Sequence, residues 1–273
     1  MVYSTLDPVG VRASELIASR LGFRERSCKG ASKCLELSTG NVMAGFDVDD
    51  VNMEFLDVTP DPDAYAVIVL SRHESSSKTK SLTVHYPGNP TDEARFGGRP
   101  RELAYAAADV GLVLLRAYAR RAEESGLLNE YEVTLEATHH GPTGNRKPLA
   151  FIEIGSTQAE WSDRRALEAL ADAVIEAISA ETLGSCRPAI GLGSTHYPRP
   201  FTIMELRGEA CFGHIISKHA LKEVRDDVIA QAVQKSSPGG AREAVIEKSS
   251  VKSALRQQLK DVLSAVGVTV REV

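Results

Sequence analysis

The sequence has few aromatic residues and no long apolar run. Aromatic residues make up 5% of its 273 residues, and no strip of base-stacking aromatics is present, which argues against an RNA-binding module that works by stacking. No apolar run approaches the roughly 18 residues that a membrane-spanning helix needs. Residues 1–5 show no basic region followed by an apolar stretch, so we expect no secretory signal, no membrane attachment and a cytoplasmic location.

Cysteine is scarce, and its spacing is not that of a metal-binding motif. The four cysteines form no CxxC pair and no zinc-ribbon pattern; they are Cys28, Cys34, Cys186 and Cys211. In a reducing cytosol we expect them to be free and buried. A bridge between Cys28 and Cys34 is the alternative for a hyperthermophilic source, where intracellular disulfides occur.

The sequence also lacks an excess of positive charge, since its formal net charge is −5. This charge argues against a protein that binds nucleic acid mainly through a broad basic surface in contact with phosphates, and we expect no DNA binding. A local basic rim can still read one end of an RNA. The candidates for such a rim, each also compatible with ordinary solvated surface, are Arg95, Arg99, Arg101, Arg146, Lys147 and Arg199.

The remaining pattern is an alternation of strands and helices, which we interpret as one α/β domain over residues 1–273. Asp7-Pro8 has the N-cap and N1 residue types that open a helix. A buried helix is predicted from Glu102 to about Ser125. The alternation predicts a three-layer α/β/α sandwich around a mostly parallel, mixed sheet. A TIM barrel is disfavoured because the early strands follow one another without helices between them.

Two predicted strands carry polar side chains of interest. The segment from Tyr131 to Thr138 alternates apolar and polar residues, as expected for a strand with two different faces. Leu149 to Ile154 has the pattern of a buried strand but contains Glu153. A buried carboxylate is costly unless it is paired, hydrogen-bonded or metal-bound. A salt bridge to an arginine explains Glu153, and so does a role as metal ligand or as the carboxylate that orients a histidine base.

Histidines follow several of the predicted strands, namely His73, His85, His139, His140, His196 and His214. Ligands of open α/β sheets bind beyond the carboxyl ends of the strands, so several imidazoles converge on one edge if these strands are parallel. Neighbouring side chains on an extended segment face opposite ways. We therefore expect only one of His139 and His140 to enter the site. His73 opens a very polar stretch and is equally compatible with a structural role.

Glycine-containing turns stand beside these histidines, at residues 86–90, 141–144, 155–157 and 191–195. Glycine in such turns lets backbone N–H groups face a phosphate or a developing oxyanion. Each turn alone is a weak signal, and the combination with histidine is a stronger one.

The order of these motifs resembles the archaeal and plant D-aminoacyl-tRNA deacylases. The motifs are residues 85–89 (HYPGN), 137–143 (ATHHGPT), 153–157 (EIGST), 193–198 (GSTHYP) with Phe201-Thr202, and 213–218 (GHIISK). The resemblance reaches from the N-terminal strand to about Lys218. It implies an α/β core similar to peptidyl-tRNA hydrolases and phosphorylases, hydrolysis of the ester that joins a D-amino acid to the 3′ end of tRNA, and a zinc requirement.

Residue roles follow as expectations from that resemblance and from the chemistry of ester hydrolysis. An imidazole near its neutral pKa suits the general base, and a catalytic zinc has three protein ligands and an open position. The expected catalytic residues are His85, Thr138, His140 and His214. The expected metal ligands are His139, Glu153 and His196. The expected substrate-binding residues are Asn89, Gly155, Ser156, Thr157, Gly193, Ser194, Tyr197 and Lys218. The expected partner is D-aminoacyl-tRNA, bound by a monomer.

Two other functions stay open at this point. The first is another hydrolase or phosphorylase on the same core, such as a nucleoside phosphorylase or a zinc peptidase, which would act on free nucleosides or peptides. The second is a noncatalytic RNA-binding module, whose affinity for RNA would depend steeply on salt.

Overall fold

The computed structural model describes residues 1–54, 63–180, 183 and 185–273. The helices of this part of the chain are α1 (Pro8–Leu21), α2 (Ala108–Glu124), α3 (Gln158–Trp161), α4 (Arg164–Ser179), α5 (Arg199–Leu206), α6 (Asp226–Gln234) and α7 (Ser253–Ala265). The strands are β1 (Val2–Ser4), β2 (Phe23–Glu25), β3 (Lys33–Leu37), β4 (Val42–Phe46), β5 (Val67–Glu74), β6 (Ser81–His85), β7 (Gly88–Asn89), β8 (Glu102–Leu103), β9 (Ala106–Ala107), β10 (Glu132–Leu135), β11 (Leu149–Ser156), β12 (Pro188–Leu192), β13 (Cys211–Ile216), β14 (Ser236–Ser237), β15 (Glu243–Ile246) and β16 (Thr269–Glu272). None of these helices combines the length and the apolar character that crossing a bilayer requires.

A ten-stranded mixed sheet forms the centre of the fold. Its main path runs β10-β6-β11-β5-β1-β4-β3-β2; off this path β9 pairs with β11, and β14 pairs with β9. Along that path the pairs β10–β6, β11–β5, β5–β1 and β1–β4 are parallel. The pairs β11–β6, β4–β3 and β3–β2 are antiparallel. The predicted α/β class with a mostly parallel, mixed sheet is confirmed.

The two faces of this sheet are covered differently, because successive side chains of a strand point to opposite faces. Ile68, Leu82 and Ile152 belong to the main core cluster, which also contains the buried stripes of α1, α2 and α4. On the other face, Val69 and Phe151 lie in a smaller cluster with residues of the neighbouring strands and loops. That second face continues into the polar residues described below.

A separate four-stranded parallel sheet, in the order β13-β12-β15-β16, follows in the C-terminal half. The sequence pattern predicts all four strands but places them in one sheet with the others. The structure separates them because each pairs within this group and builds a second core with α6 and α7. Phe212, Ile215 and Val245 of this sheet nevertheless belong to the main core cluster.

The first helix begins as its sequence predicts, and the second does not. The Asp7 side chain accepts hydrogen bonds from Val9 N and Gly10 N, with Pro8 at the first turn. The predicted start of the second helix at Glu102 is wrong, since α2 begins at Ala108. Residues 102–103 pair with β7, and residues 106–107 pair with β11 and β14, so the intervening backbone is extended.

The prediction of free cysteines is wrong. Cys28 pairs with Cys34, and Cys186 pairs with Cys211, which leaves no free thiol among these residues. Cys34 lies on β3 shortly after the turn that holds Cys28. Pro188 of β12 lies opposite Cys211 of β13, so Cys186 is brought beside its partner by strand pairing.

Candidate active site

Polar side chains occupy the face of the large sheet opposite α1, α2 and α4. Adjacent strands contribute His73 (β5), His85 (β6) and Glu153 (β11), and Glu136 follows β10. The apolar neighbours of these residues, such as Ile152 and Val84, point into the main core on the other face. The two-residue period of the strands therefore sorts the polar residues onto one surface.

Strand direction decides how the two strand histidines meet. β11 runs parallel to β5 and antiparallel to β6, so Gly155 pairs with His73 while Phe151 pairs with His85. Glu153 lies between those two positions on β11. His73 and His85 consequently flank Glu153 on the sheet face, with His73 Nδ1 3.5 Å and His85 Nδ1 3.7 Å from its Oε2. The imidazoles therefore converge on a face of the sheet. The expectation that they meet at one edge assumed parallel strands and is wrong for β6 and β11.

Glu136 is the centre of the cluster. Its Oε2 lies 2.9 Å from His196 Nε2 and 3.5 Å from His139 Nε2, and its Oε1 lies 3.2 Å from His73 Nδ1. The side chain is buried, yet neither oxygen has an aligned hydrogen-bond partner among the described residues. A buried carboxylate in that state is costly unless a cation compensates it.

His139 and His140 both turn into the cluster, so the expectation that only one of them enters is wrong. His140 has a positive φ of 47°, which breaks the extended conformation on which that expectation depends. The two rings lie 4.5 Å and 4.8 Å from the ring of His85. His139 Nδ1 lies 2.9 Å from Ala137 O, and His140 Nδ1 lies 2.5 Å from Gly141 O.

These backbone contacts define what the two imidazoles can do. A carbonyl accepts only from an N–H, so Nδ1 of each ring carries the proton and Nε2 presents a lone pair. Burial lowers the pKa of both His139 and His140, so the rings are neutral at pH 7. His140 Nε2 lies 3.1 Å from Nε2 of His85. Two ring nitrogens at that separation either share a proton or face a common electrophile.

Charge in the cluster is concentrated on Glu136 and His73. Burial opposes the ionisation of Glu136, but its contact with His196 and the His73 imidazole outweigh burial and hold its pKa well below the usual range. Burial also opposes protonation of His73, but Glu153 and Glu136 raise its pKa to about 9. Burial raises the pKa of Glu153 to about 8 against the opposing contact with His73. At neutral pH these shifts favour a charged Glu136, a charged His73 and a neutral Glu153.

Tyr197 completes the cluster at its open side. Its hydroxyl lies 2.7 Å from His73 Nε2, and its side chain is half-buried. His139 and His196 are also half-exposed, whereas His73 and His85 are buried. Solvent and substrate therefore reach the cluster past His139, His196 and Tyr197.

The donor atoms form three overlapping groups in which the ligand atoms all lie within 4.8 Å of one another. These groups are His85 with His139 and His140, His73 with Glu136 and His196, and His85 with Glu136 and Glu153. Imidazole and carboxylate are the donors that zinc takes in catalytic sites. The two imidazoles that donate Nδ1–H to backbone carbonyls also have the outer contacts typical of metal-bound histidine.

Comparison with known proteins decides the family. A family model described as D-aminoacyl-tRNA deacylase matches residues 60–271. The chain belongs to the D-aminoacyl-tRNA deacylase family. A D-aminoacyl-tRNA deacylase of Aeropyrum pernix is 44% identical over 273 residues, covering 99% of this chain and 98% of that protein. One from Staphylothermus marinus is 40% identical over 269 residues, covering 98% and 96%.

A solved structure supports the same fold. A crystal structure described as that of a conserved protein of unknown function matches with a TM-score of 0.91 and 30% sequence identity. The match covers 99% of this chain and 93% of that one. The arrangement of strands that creates the site is therefore also the arrangement of a solved relative of this deacylase.

Thr138 and His214, both expected to be catalytic in a deacylase, form a buried pair beside the cluster. Thr138 Oγ1 lies 3.0 Å from His214 Nδ1, and His214 Nε2 lies 2.9 Å from Ala104 O. Thr138 Oγ1 also accepts from Ile215 N. His214 has no free ring nitrogen in this arrangement, and burial lowers its pKa to about 4. The geometry favours a positioning role in which the pair fixes the segment that carries His139.

Several residues expected to bind substrate instead contact the protein itself. Asn89 is buried and donates to Gly97 O and Arg99 O. Ser156 donates to Thr79 O, and Thr157 caps α3 together with Glu160. These contacts organise the loops around the site of the deacylase.

Of the remaining predicted residues, Gly155 packs against His73 of the cluster, and Gly193, Ser194 and Lys218 lie together at a turn shortly before His196 in the chain. A Cβ at Gly155 would lie 2.6 Å from His73 Cδ2, so glycine there makes room for that imidazole. Gly193 and Ser194 have positive φ, and Ser194 N donates to Ser250 Oγ. Lys218 N donates to Ser194 O, which places Lys218 beside the same turn.

Sequence reasoning missed Glu136 and undervalued His73. Glu136 falls on the polar side of the Tyr131–Thr138 alternation directly before two histidines, and that position was the available signal. Asp50 was also missed: it binds the Ser71 hydroxyl, and its charge acts on His140 and Glu153. Nothing in the local sequence distinguishes Asp50 from a solvated loop residue, because only the fold brings it to the sheet face.

Proposed function

We propose that this chain hydrolyses the ester bond between a D-amino acid and the 3′ end of tRNA, releasing both. The observation that carries the proposal is the buried Glu136 carboxylate, which is surrounded by imidazoles, one of them the half-exposed His196. Relatives at 40–44% identity over almost the whole chain bear the name of this activity. An ester with a poor alkoxide leaving group needs an activated water and a charge stabiliser.

We propose zinc as the cofactor, because the residues present fit a divalent cation. Among the described residues neither buried oxygen of Glu136 has an aligned hydrogen-bond partner, and Nε2 of His139 presents a lone pair toward the cluster. His139, Glu153 and His196, the ligands expected from sequence, belong to three different donor groups. The two groups that contain Glu136 would hold the metal, which leaves Nε2 of His140 free for the role described next. When bound, zinc lowers the pKa of a coordinated water to about 7 and polarises a carbonyl.

His140 is the proposed general base. Its protonated Nδ1 is fixed on Gly141 O, so Nε2 is the atom that accepts a proton. Attack of water oxygen on the ester carbonyl transfers the water proton to that nitrogen. Collapse of the tetrahedral species then breaks the bond to the ribose oxygen, which takes a proton and leaves as the 3′ hydroxyl. His85 Nε2, 3.1 Å from that nitrogen, can accept a hydrogen bond from it once the proton has been taken up.

Tyr197 is the proposed donor to the developing negative charge. With Nδ1 of His73 facing the two carboxylates as a metal ligand, Nε2 would carry the ring hydrogen and donate to the Tyr197 oxygen. The Tyr197 hydroxyl hydrogen is then available at the open side of the cluster. Such a preoriented donor stabilises an oxyanion more than a free hydroxyl does.

We also propose that residues 1–273 act as one domain, as a monomer in the cytoplasm. Residues from both sheets share the main core cluster, which supports a single cooperative unit. A single unfolding transition and a monomer elution volume are the expected results. Two separate transitions would contradict the single domain.

The direct test is release of labelled tyrosine from D-tyrosyl-tRNA and L-tyrosyl-tRNA, with and without a chelator. We expect hydrolysis of the D ester alone, lost on chelation and restored by zinc. His140→Ala is expected to be inactive, and His219→Ala, which alters an exposed histidine, is the matched control. Equal cleavage of both esters would exclude chiral selection, and cleavage of neither would direct attention to nucleosides and peptides.

A further inference from the structure

The loop at residues 95–99 presents an aromatic ring to solvent beside the site. Phe96 has a relative exposure of 70%, the highest among the exposed large hydrophobic residues of the described chain. Exposing a phenylalanine side chain to water costs free energy, but single exposed apolar residues are common on protein surfaces and need no functional explanation. The position of this one is what separates it from the others.

The backbone around Phe96 is held in place by residues of the site. Phe96 O accepts from Gly141 N at 2.8 Å, and Gly141 O is the acceptor of His140 Nδ1. Asn89 Nδ2 donates to Gly97 O at 2.8 Å. Arg99 N donates to Thr143 Oγ1 at 2.9 Å. Gly141, which anchors this loop, therefore directly follows the proposed general base His140 in the chain.

Two glycines make this close approach possible. Gly97 and Gly98 have φ of +71° and +76°, values that L side chains rarely adopt. A Cβ at Gly97 would lie 2.0 Å from Val51 O, and one at Gly98 would lie 2.6 Å from Thr143 Cγ2. The loop is thus a tight turn pressed against its neighbours, and the Phe96 ring is its outward-facing part.

Two exposed arginines lie on the same loop, one on each side of Phe96 in the sequence. Arg95 pairs with the exposed Glu93, and Arg99 pairs with the partly buried Glu102. Exposed ion pairs contribute little, so either guanidinium can exchange its carboxylate for a phosphate. An exposed aromatic ring between arginines is the arrangement that binds single-stranded nucleic acid, with bases on the ring and phosphates on the cations.

We propose that Phe96 stacks on the terminal adenine of the tRNA, with Arg95 and Arg99 at the adjacent phosphates. The inference rests on the proposed function. Every tRNA ends in adenosine, and the ribose that carries the ester also carries that base. A residue that binds the base must therefore lie beside the hydrolytic groups, as Phe96 does through Gly141. The contact would recognise the 3′ end that all tRNAs share, and it would not depend on which amino acid is attached.

The test is a double-mutant cycle on kcat/KM, in which the Phe96 ring and the terminal adenine are removed separately and together. Phe96→Ala is combined with a D-tyrosyl-tRNA whose terminal adenine is absent while the ribose still bears the ester. Base stacking on an aromatic is worth about 1–3 kcal/mol, so removal of either partner should lower kcat/KM about tenfold or more. Removal of both should cost no more than removal of one. Phe96→Trp should retain the wild-type rate.

Phe23→Ala is the matched control, since Phe23 is 52% exposed on β2 at the far edge of the sheet, and we expect wild-type kinetics. Wild-type kcat/KM for Phe96→Ala on the intact substrate would overturn the proposal. The proposal would also be overturned if removal of the adenine lowered kcat/KM of Phe96→Ala as much as it lowers that of wild type. The same holds if the loss in Phe96→Ala depended on the identity of the amino acid. If wild type cleaves no D-tyrosyl-tRNA, the proposed function has failed. The same cycle on binding of uncharged tRNA then still tests the stacking contact.

Discussion

His196 Nε2 lies 2.9 Å from Oε2 of Glu136, although the two residues are 60 positions apart and follow strands of different sheets, β12 and β10. The carboxylate is buried and the imidazole is half-exposed. Glu136 therefore links the interior of the large sheet to the side from which substrate enters.

Replacing Glu136 with glutamine should abolish metal binding and hydrolysis together. Glutamine keeps the shape but removes the charge that the surrounding imidazoles and a cation compensate. We expect at least about a hundredfold loss of metal affinity, at the upper end of what neighbouring contacts of a metal site contribute. Bound zinc is measured by mass spectrometry beside the deacylation rate. Glu132→Gln, at an exposed position on β10, the strand that precedes Glu136, should leave both unchanged, and a fully metallated Glu136→Gln would contradict the assignment.

Gly155→Ala should displace His73 and lower activity about tenfold or more. The added Cβ would lie 2.8 Å from His73 Cβ, a contact that backbone movement must relieve, at a cost of about 1–3 kcal/mol. Gly126→Ala is the control, because it strains a positive φ of 72° with no atom within 4 Å of the new Cβ. It should lower the melting temperature without changing the rate per folded molecule. A fully active Gly155→Ala protein would show that the His73 position is not required.

Glu205→Gln should stabilise the protein at alkaline pH. Glu205 is fully buried, and burial raises its pKa from 4.5 to about 8. Because the folded pKa exceeds the unfolded one, this group is neutral at little cost below pH 4.5 and destabilises increasingly as pH rises toward 8. Glutamine stays neutral and can still accept the 2.6 Å hydrogen bond from Phe212 N.

The melting temperature of the Glu205→Gln variant should therefore exceed that of wild type at pH 8, with a difference that shrinks toward pH 5. Glu209→Gln, at an exposed neighbouring position, should show no such trend. A difference independent of pH would mean that Glu205 ionises normally.

Reduction of the two disulfides should lower the free energy of unfolding. The bridges close segments of 6 and 25 residues, which correspond to about 2 and about 3 kcal/mol in the chain-entropy model. Denaturant unfolding is compared with and without reductant for wild type and for the paired serine variants of each bridge. The Cys186–Cys211 pair should account for the larger share. Unchanged stability of wild type in reductant would contradict this expectation.

The sequence by itself determined the strand and helix periods, the family and most members of the site. Alternation from Tyr131 to Thr138 and the apolar pattern of β11 are local properties of a pleated chain, so they placed Glu136 and Glu153 on defined faces. Asp7-Pro8 fixed the start of α1 for an equally local reason, the capping of free N–H groups.

Only the tertiary structure decided which of these residues meet. The antiparallel pairing of β6 with β11 put His73 and His85 on two sides of Glu153, and strand direction is not encoded in the period of a strand. The positive φ of His140 brought both neighbouring imidazoles into the cluster. The division into two sheets and the pairing of the cysteines depend on contacts between distant segments. Such contacts follow from how strand edges and buried faces match, which a single segment cannot specify.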